Sequence, residues 1–355
     1  MTSMLLSVMP MAFATSVGTG IGVDVTTEDF PPLVWMCDDR VVEDDATEPG
    51  RVSDDDEELV ERINNYAFEG ESIHWTVLVM DKNKIDQNID VFATIGDSQG
   101  EGNDIEVNCI RIGCQQRLMD QCNAQILEEE ITECDDNIMD MFECTLTVET
   151  ADSMYGEYWV TVEAVDGDGL SGTMDENEFW FFNPVIAVSV DGDLAFEDVR
   201  PGALAYSDTI LVGNDADDGS GVMLDMFISG TDFYDSSSSG ARCPTTNQLA
   251  LDNFRYFVTN GAYSSLGDDN DDAVDADRDT DDEGYTNIEY GIGWNNPDPF
   301  YVNAEILQDQ QVGPYYTANL LAPGAEMALT FRLDLPEPCN GDFDSGQLFF
   351  WGEAI

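Results

Sequence analysis

Alternating apolar and polar side chains dominate residues 153–214 and predict β-strands. Within residues 157–166 nearly every second position is apolar, and the same pattern returns at 185–190. A period of two residues places successive side chains on opposite faces of a sheet. Asn183 and Pro184 separate these two runs and interrupt the pattern. We therefore place a domain boundary at this dipeptide.

Short runs of the same kind occur on both sides of the boundary and predict an all-β chain. Short strands separated by turn residues are typical of antiparallel β-sandwiches, so we expect two such domains, 33–183 and 184–355. A short helix is expected at 53–63, and a cysteine-bearing insertion at 115–138 interrupts the first domain. The predicted strands are 33–42, 72–81, 90–97, 104–112, 141–149, 157–166 and 178–183, followed by 185–190, 207–212, 222–229, 254–259, 287–293, 315–320, 326–333 and 347–351.

Residues 1–14 combine a short apolar run with the sequence Ala12-Phe13-Ala14. This pattern is typical of a secretory signal peptide and its cleavage site, although the usual basic start is missing. The alternative is a hydrophobic first strand. With cleavage after Ala14, the protein would be secreted and act outside the cell or at its surface.

Residues 15–32 are predicted to form an N-terminal strand, because β-branched residues alternate there with glycine and serine. One face of this strand would carry branched side chains, and the other would carry almost none. The segment could be the first strand of its own domain. It could also be a donor strand that completes the sheet of a neighbouring copy, with Pro31-Pro32 as the hinge. The branched residues of this candidate assembly strand are Val17, Thr19, Ile21, Val23 and Val25.

The charge balance limits the possible partners. The chain has 74 Asp and Glu against 12 Lys and Arg, for a formal net charge of −62. Such a surface repels nucleic acid and anionic lipid headgroups. No stretch has the roughly 20 apolar residues of a membrane helix, so we expect no membrane span. The carboxylates could instead bind Ca²⁺ or form a solvated surface suited to high salt.

The segment 268–284 is the strongest calcium candidate. Its alternating carboxylates precede Gly284, as in calcium-binding loops that wrap oxygen ligands around one ion. The alternative is a solvated loop of like charges. Two similar but shorter segments, 166–169 and 214–219, are expected to be ordinary turns. The predicted ligands are Asp275, Asp277, Asp279, Asp281 and Glu283.

The cysteines divide six and two between the domains, which favours disulfides within each domain over zinc ligands. Cys243–Cys339 is the one pairing available in the second domain. The six in the first domain allow 15 connectivities. The working hypothesis for these six is Cys109–Cys122, Cys114–Cys134 and Cys37–Cys144.

No constellation typical of an enzyme accompanies these features. His74 lies inside a strand pattern, where a packing role is expected, and the chain has no nucleophile elbow, P-loop, dinucleotide fingerprint or zinc-protease motif. Because the chain has 74 Asp and Glu residues, the presence of a carboxylate pair is no evidence for a catalytic site. The aromatic residues of 294–301 could stack on sugar rings or close one end of a sandwich.

Two segments resemble known families. The pattern from Gly156 to Gly172, with alternate apolar residues followed by Asp166, Asp168 and Gly169, resembles immunoglobulin-like and PKD-type extracellular domains. The segment 196–229 resembles the camelysin/TasA family of matrix-fibre proteins in its Pro-Gly turn, a strand ending in Asn and a following apolar strand. These resemblances imply an immunoglobulin-like sandwich followed by a jelly-roll-like one that polymerises by strand donation. The whole chain is also similar to secreted archaeal surface proteins.

The sequence thus predicts a secreted, non-enzymatic structural subunit of an extracellular filament or surface layer. The partner would be another copy of the chain, joined by donation of residues 16–26. The alternative is a monomeric cell-surface module for carbohydrate binding or adhesion that uses the aromatic residues of 294–301.

Overall fold

The structure is a computed structural model, and it confirms the all-β class. It describes residues 21–43, 64–85, 89–98, 105–122, 133–174, 179–240, 242–243, 246–267, 284–291, 304–312 and 315–355. The predicted signal peptide and the predicted helix at 53–63 lie outside these ranges. In the described part of the chain, no helix has the length and apolar composition needed to cross a bilayer.

All seven strands predicted for the first domain are present. The strand order is β1-β3-β6-β5-β4-β7-β9-β2, with β8 paired to β7. The long pairings are antiparallel, and only the two-residue β2 runs parallel to its neighbour. The strands are β1 (Leu33–Glu43), β2 (Tyr66–Ala67), β3 (Ser72–Met80), β4 (Asp90–Gly96), β5 (Ile105–Arg111), β6 (Met139–Thr147), β7 (Gly156–Val165), β8 (Ser171–Met174) and β9 (Phe179–Phe182).

β5 passes from one layer of this domain to the other. Residues 105–107 pair with β4, whereas residues 108–111 pair with β6. The first layer, β1-β3-β6, and the second, β4-β7-β9, enclose one hydrophobic cluster. It includes Trp75 on β3, Val162 on β7 and Phe182 on β9. Alternate apolar residues of facing sheets bury one another in this way in a β-sandwich.

The insertion covers the outer face of the first layer. Its 3₁₀ turn, Gln116–Gln121, buries Leu118 and Met119 against Trp35 and Leu78. β3 is therefore buried on both faces along most of its length. The disulfide Cys37–Cys122 joins the insertion to β1, Cys109–Cys144 joins β5 to β6, and Cys114–Cys134 closes the insertion on itself.

Two of the three pairings expected for the first domain are wrong. Cys109 and Cys144 lie directly opposite each other on β5 and β6, with Cα atoms 4.0 Å apart. Cys144 belongs to the inner core, whereas Cys37 belongs to the cluster on the outer face. Cys37 and Cys144 therefore lie on opposite sides of one layer and cannot bond. Cys114–Cys134 and, in the second domain, Cys243–Cys339 are as expected.

The second domain has one large sheet, ordered β10-β11-β22-β15-β16 with β17 paired to β15, and a smaller sheet in which β12 pairs with β18, β21 and β23. Among the described residues, two further antiparallel strand pairs lie outside these sheets, β13-β14 and β19-β20. The strands are β10 (Val188–Asp191), β11 (Leu204–Asn214), β12 (Leu224–Gly230), β13 (Phe233–Tyr234), β14 (Gln248–Leu249), β15 (Phe254–Asn260), β16 (Tyr263–Ser264), β17 (Thr286–Asn287), β18 (Glu289–Tyr290), β19 (Gln311–Val312), β20 (Tyr315–Tyr316), β21 (Leu320–Leu321), β22 (Glu326–Asp334) and β23 (Leu348–Ala354). Three further 3₁₀ turns lie at Leu251–Asn253, Ser265–Gly267 and Thr317–Asn319.

The two sheets of this domain pack face to face. Val212, Tyr256 and Leu329 from the larger sheet belong to the same buried cluster as Met226 and Ile228 from β12. β12 is buried along its whole length. Residues 304–306 bond to the β12 backbone on the edge opposite β23, and Asn319 from the turn at 317–319 bonds to Asp225 and to the Met226 carbonyl. The strand at the centre of the sandwich is therefore closed to solvent on both faces.

Side chains from the first domain enter the core of the second. Tyr66 on β2 and Phe181 on β9 belong to the second domain's hydrophobic cluster. The Tyr66 hydroxyl donates a hydrogen bond to the Ile355 carbonyl over 2.6 Å. The exposed Tyr155 hydroxyl donates to Asp217 Oδ2 over 2.9 Å. The predicted boundary at residues 183–184 thus divides two sandwiches that share buried contacts.

Candidate functional site

The leading segment, residues 21–30, has no regular secondary structure and lies on the surface. Its β-branched side chains are almost completely exposed: Ile21 is 91% exposed, Val23 81% and Val25 75%. Isolated apolar side chains on a surface are ordinary, but three on one short segment are not. The alternative in which these residues form the first strand of their own sheet is wrong for 21–32. Val17 and Thr19 lie outside the described residues.

Asn83 fixes the end of the leading segment. Its Oδ1 accepts a hydrogen bond from the Phe30 N–H over 2.6 Å, and its Nδ2 donates to the Glu28 carbonyl over 2.8 Å. Pro32 then passes against β8, where a side chain at Gly172 would overlap its carbonyl. The segment is therefore anchored at residues 28–32 and extends away from the domain before them.

A buried carboxyl group lies at the centre of the second domain. Asp225 on β12 accepts a hydrogen bond from Asn319 Nδ2 over 2.6 Å. The Asn319 amide also donates to the Met226 carbonyl and accepts from the Leu307 N–H. The pKa of Asp225 is raised to about 7, mainly by burial and also by the negative charges of Glu305 and Glu353, while the Asn319 hydrogen bond opposes the change. Near neutral pH this residue can therefore gain or lose a proton.

A groove of about 900 Å³ opens at one end of the second sandwich. Its walls include Phe196, Phe233, Phe254 and Phe343, beside the disulfide residue Cys339. Three carboxylates, Glu197, Asp198 and Asp342, also line it. This lining favours apolar groups and disfavours anions.

Hydrogen bonds order the surface next to this groove. Asp235 bonds to the Ser237 hydroxyl and backbone N–H, which lowers the pKa of its carboxyl group, and it pairs with Arg242 over 3.1 Å. The Ser236 hydroxyl and N–H similarly lower the pKa of Asp344. Both carboxylates serve to hold loops together.

The predicted calcium ligands at 275–283 lie outside the described residues. Within the described part of the chain, no group of three or more His, Cys, Asp or Glu side chains has the arrangement of a metal site. The segment at 166–169 is a turn closed by Asp166, whose Oδ1 accepts from the Asp168 and Leu170 N–H groups. In the segment at 214–219, Asp217 Oδ2 accepts from Tyr155 and from the Val185 N–H. This second turn therefore joins the two domains.

His74 lies on β3 with its Nδ1 3.0 Å from Thr145 Oγ1 on the paired strand. This is a cross-strand contact, as expected for a packing role. The aromatic residues of 294–301 lie outside the described residues.

Sequence reasoning missed Asp225 and Asn319. In the sequence, Asp225 is the one polar residue in the run 222–228. Such a run is consistent with a strand buried on both faces, but a single Asp within it also fits a solvent-facing position. Its partner Asn319 is 94 residues away in sequence, so no local signal paired the two side chains.

No protein-family model matches the chain, and no curated protein is similar to it. The geometry and chemistry of the described residues therefore carry the functional conclusion.

Proposed function

We propose that the protein is an extracellular structural subunit that polymerises by donating the segment 15–30 to another copy. The observation that carries this proposal is the exposure of Ile21, Val23 and Val25 on a segment that pairs with no described strand. An extended peptide that adds to a sheet edge gains main-chain hydrogen bonds, and its alternate side chains gain apolar contacts.

Burial of the branched side chains supplies part of the free energy of strand addition. Burying one Val or Ile side chain fully is worth about 1.5–3 kcal/mol. Three such side chains offset part of the cost of ordering the segment, which is about 1–2 kcal/mol per residue for the backbone. The hydrogen bonds and the remaining branched residues, Val17 and Thr19, would add to this.

The four disulfides support an extracellular role, because such bonds persist in oxidising compartments. A sandwich cross-linked by disulfides is also suited to a structural subunit. The role we propose is structural rather than catalytic.

Deletion of residues 15–30 tests the proposal. The chain from residue 15 onward should form polymers visible by negative-stain microscopy and early elution in size-exclusion chromatography, with or without Ca²⁺. The deleted chain should elute as a monomer with an unchanged circular dichroism spectrum, because the leading segment makes few contacts with the rest of the chain.

A variant of unchanged length tests whether the branched side chains themselves are required. Replacing Ile21, Val23 and Val25 by Ser should abolish polymers, whereas the control Val312→Ser, at a residue 69% exposed elsewhere, should not. Unchanged assembly after the deletion would rule out strand donation by this segment. A starting chain that stays monomeric under all conditions would rule out the filament function.

A further inference from the structure

In the described part of the chain, β23 is an edge strand that pairs with another strand on one side only. It pairs with β12 along its whole length, from Leu224↔Ala354 to Gly230↔Leu348. On β12 the Ile228 N–H and the Met226 carbonyl bond to residues 304 and 306, on the side away from β23. Backbone groups of successive residues point to opposite sides of a strand. The backbone N–H and C=O groups of Phe227, between them, therefore point to β23 and bond to its partner Trp351.

The same alternation fixes the direction of the groups on β23. The backbone groups of Phe349 and Trp351 bond to β12. Leu348, Phe350 and Gly352 therefore direct their backbone N–H and C=O groups to the opposite side. Among the described residues, no backbone or side-chain group bonds to those of Leu348, Phe350 or Gly352 there. Unpaired edge groups of this kind are a ready template for another strand.

The two faces of this edge differ in a way that specifies the incoming strand. Leu348 and Phe350 lie on the inner face and pack against the domain core, while remaining partly exposed. Phe349 and Trp351 lie on the outer face with ring centroids 6.3 Å apart. A strand added here needs apolar side chains on its inner face and little bulk on its outer face, beside the two rings.

We propose that the open edge of β23, residues 348–352, accepts the segment 15–25 of a second copy of the chain. This inference rests on the proposed function and names its acceptor. The branched residues Val17, Thr19 and Ile21 would continue the inner face beside Leu348 and Phe350. The intervening small residues 16, 18, 20 and 22 would lie beside the aromatic rings, where larger side chains would collide with them.

Charge favours the same match. The donor segment 15–25 has a single charged side chain, Asp24, and residues 347–352 have none. Two copies that each carry a net charge of −62 repel each other over most of their surfaces. Association is least opposed where the contacting segments carry few charges. The leading segment is anchored to the first domain at Asn83 while Ile21 stays exposed, so it does not cover the edge of its own copy.

A peptide titration tests the edge directly. The probe is a synthetic peptide of residues 15–25, TSVGTGIGVDV, added to the chain lacking residues 15–30. Hydrogen exchange should become at least about tenfold slower at the amides of Leu348, Phe350 and Gly352. The amides of Phe349 and Trp351 already bond to β12 and should change little. A control peptide with Ser at positions 17, 19, 21 and 23 should give no protection.

A mixing experiment tests the edge in the full chain. Phe349→Lys combined with Trp351→Lys places two cations on the outer face of the edge, a substitution that blocks strand addition without removing a core side chain. This edge variant and the deleted chain should each be monomeric. Mixed together they should form a 1:1 dimer and no polymer, because one supplies the segment and the other supplies the edge.

The control for charge is Tyr263→Lys combined with Val312→Lys, which adds the same charge at exposed residues away from β23 and should polymerise normally. Circular dichroism and thermal melting establish that each variant is folded. If the edge variant polymerises normally while the deleted chain does not, strand donation stands and β23 is not its acceptor. If the peptide does not protect these amides, β23 is not the acceptor, whether or not the full chain polymerises. The same conclusion follows if the edge of a monomer is already protected by the leading segment of that monomer.

Discussion

Asp225 makes the folding stability of this protein depend on pH. Its carboxyl group is buried among Asn319, Glu305 and Glu353, and its pKa is raised to about 7 from the ordinary 3.8. In the unfolded chain the group ionises near pH 4, whereas in the folded chain it stays neutral to about pH 7. Folding stability is therefore lost as pH rises from about 4 to 7, and the loss is complete above that range.

Replacing Asp225 by Asn should remove this loss. At pH 4 the variant and the parent should have similar free energies of unfolding, because Asn can also accept the Asn319 hydrogen bond. At pH 8 the variant should be more stable by up to about 4 kcal/mol, since each pKa unit corresponds to about 1.4 kcal/mol. Denaturant unfolding at the two pH values measures this difference.

Asp344→Asn serves as a control with the opposite sign. The hydrogen bonds from Ser236 lower the pKa of Asp344, so its ionised form stabilises the fold above pH 4. This variant should lose stability at pH 8 and little at low pH. An Asp225→Asn variant that is equally or less stable at pH 8 would show that Asp225 is not held neutral in the core.

At the scale of elements, the insertion acts as a lid on β1, β3 and β6. Only one short 3₁₀ turn covers this face among the described residues of the insertion, and it contributes Leu118 and Met119. So short an element has little stability of its own. Cys37–Cys122 therefore holds this cover to β1, and Cys114–Cys134 closes the insertion on itself.

Removing Cys37–Cys122 should be more damaging than removing Cys114–Cys134. The first closes a separation of 85 residues and the second one of 20. Cross-links that close longer loops restrict the unfolded chain more, and each is worth roughly 2–4 kcal/mol. The paired serine variants should differ in this order in thermal unfolding, and the Cys37/Cys122 variant should also bind a hydrophobic dye through the uncovered face.

Peptide mapping without reduction supplies the control. It should recover Cys37 joined to Cys122 and Cys109 joined to Cys144. Recovery of Cys109 joined to Cys122 would contradict both the β5–β6 register and the ranking of the two variants.

At the scale of the whole molecule, the two sandwiches share their packing. Tyr66 and Phe181 belong by sequence to the first domain, yet they pack in the core of the second. Asn64 adds a hydrogen bond from its Nδ2 to the Gly221 carbonyl over 2.7 Å. Coupling of this kind makes independent unfolding of the domains unfavourable.

Tyr66→Phe should lower the stability of both domains together by about 1–3 kcal/mol, because the buried Ile355 carbonyl loses its donor. Tyr155→Phe removes a hydrogen bond across the same boundary at an exposed position and should cost clearly less. Calorimetry of the two variants measures the effect as a shift of one shared transition. Two separate transitions in the parent chain would show instead that the shared contacts do not couple the domains.

The sequence by itself determined most of the strands and where the chain turns. A period of two residues and the conformational preferences of Gly, Asp and Pro are local properties, so seven of the nine strands of the first domain could be predicted from them. The two short strands β2 and β8 were not predicted. The same local pattern identified the β-branched leading segment. The even division of the cysteines likewise predicted disulfides within each half.

Only the tertiary structure decided which strands are neighbours. Strand order and register are set by contacts between residues distant in sequence, and a one-residue shift exchanges the two faces of a strand. For this reason the sequence did not reveal that Cys109 lies opposite Cys144 or that Asp225 is buried. It also did not reveal that β23 keeps one side open, because an edge is defined by the strands that surround it.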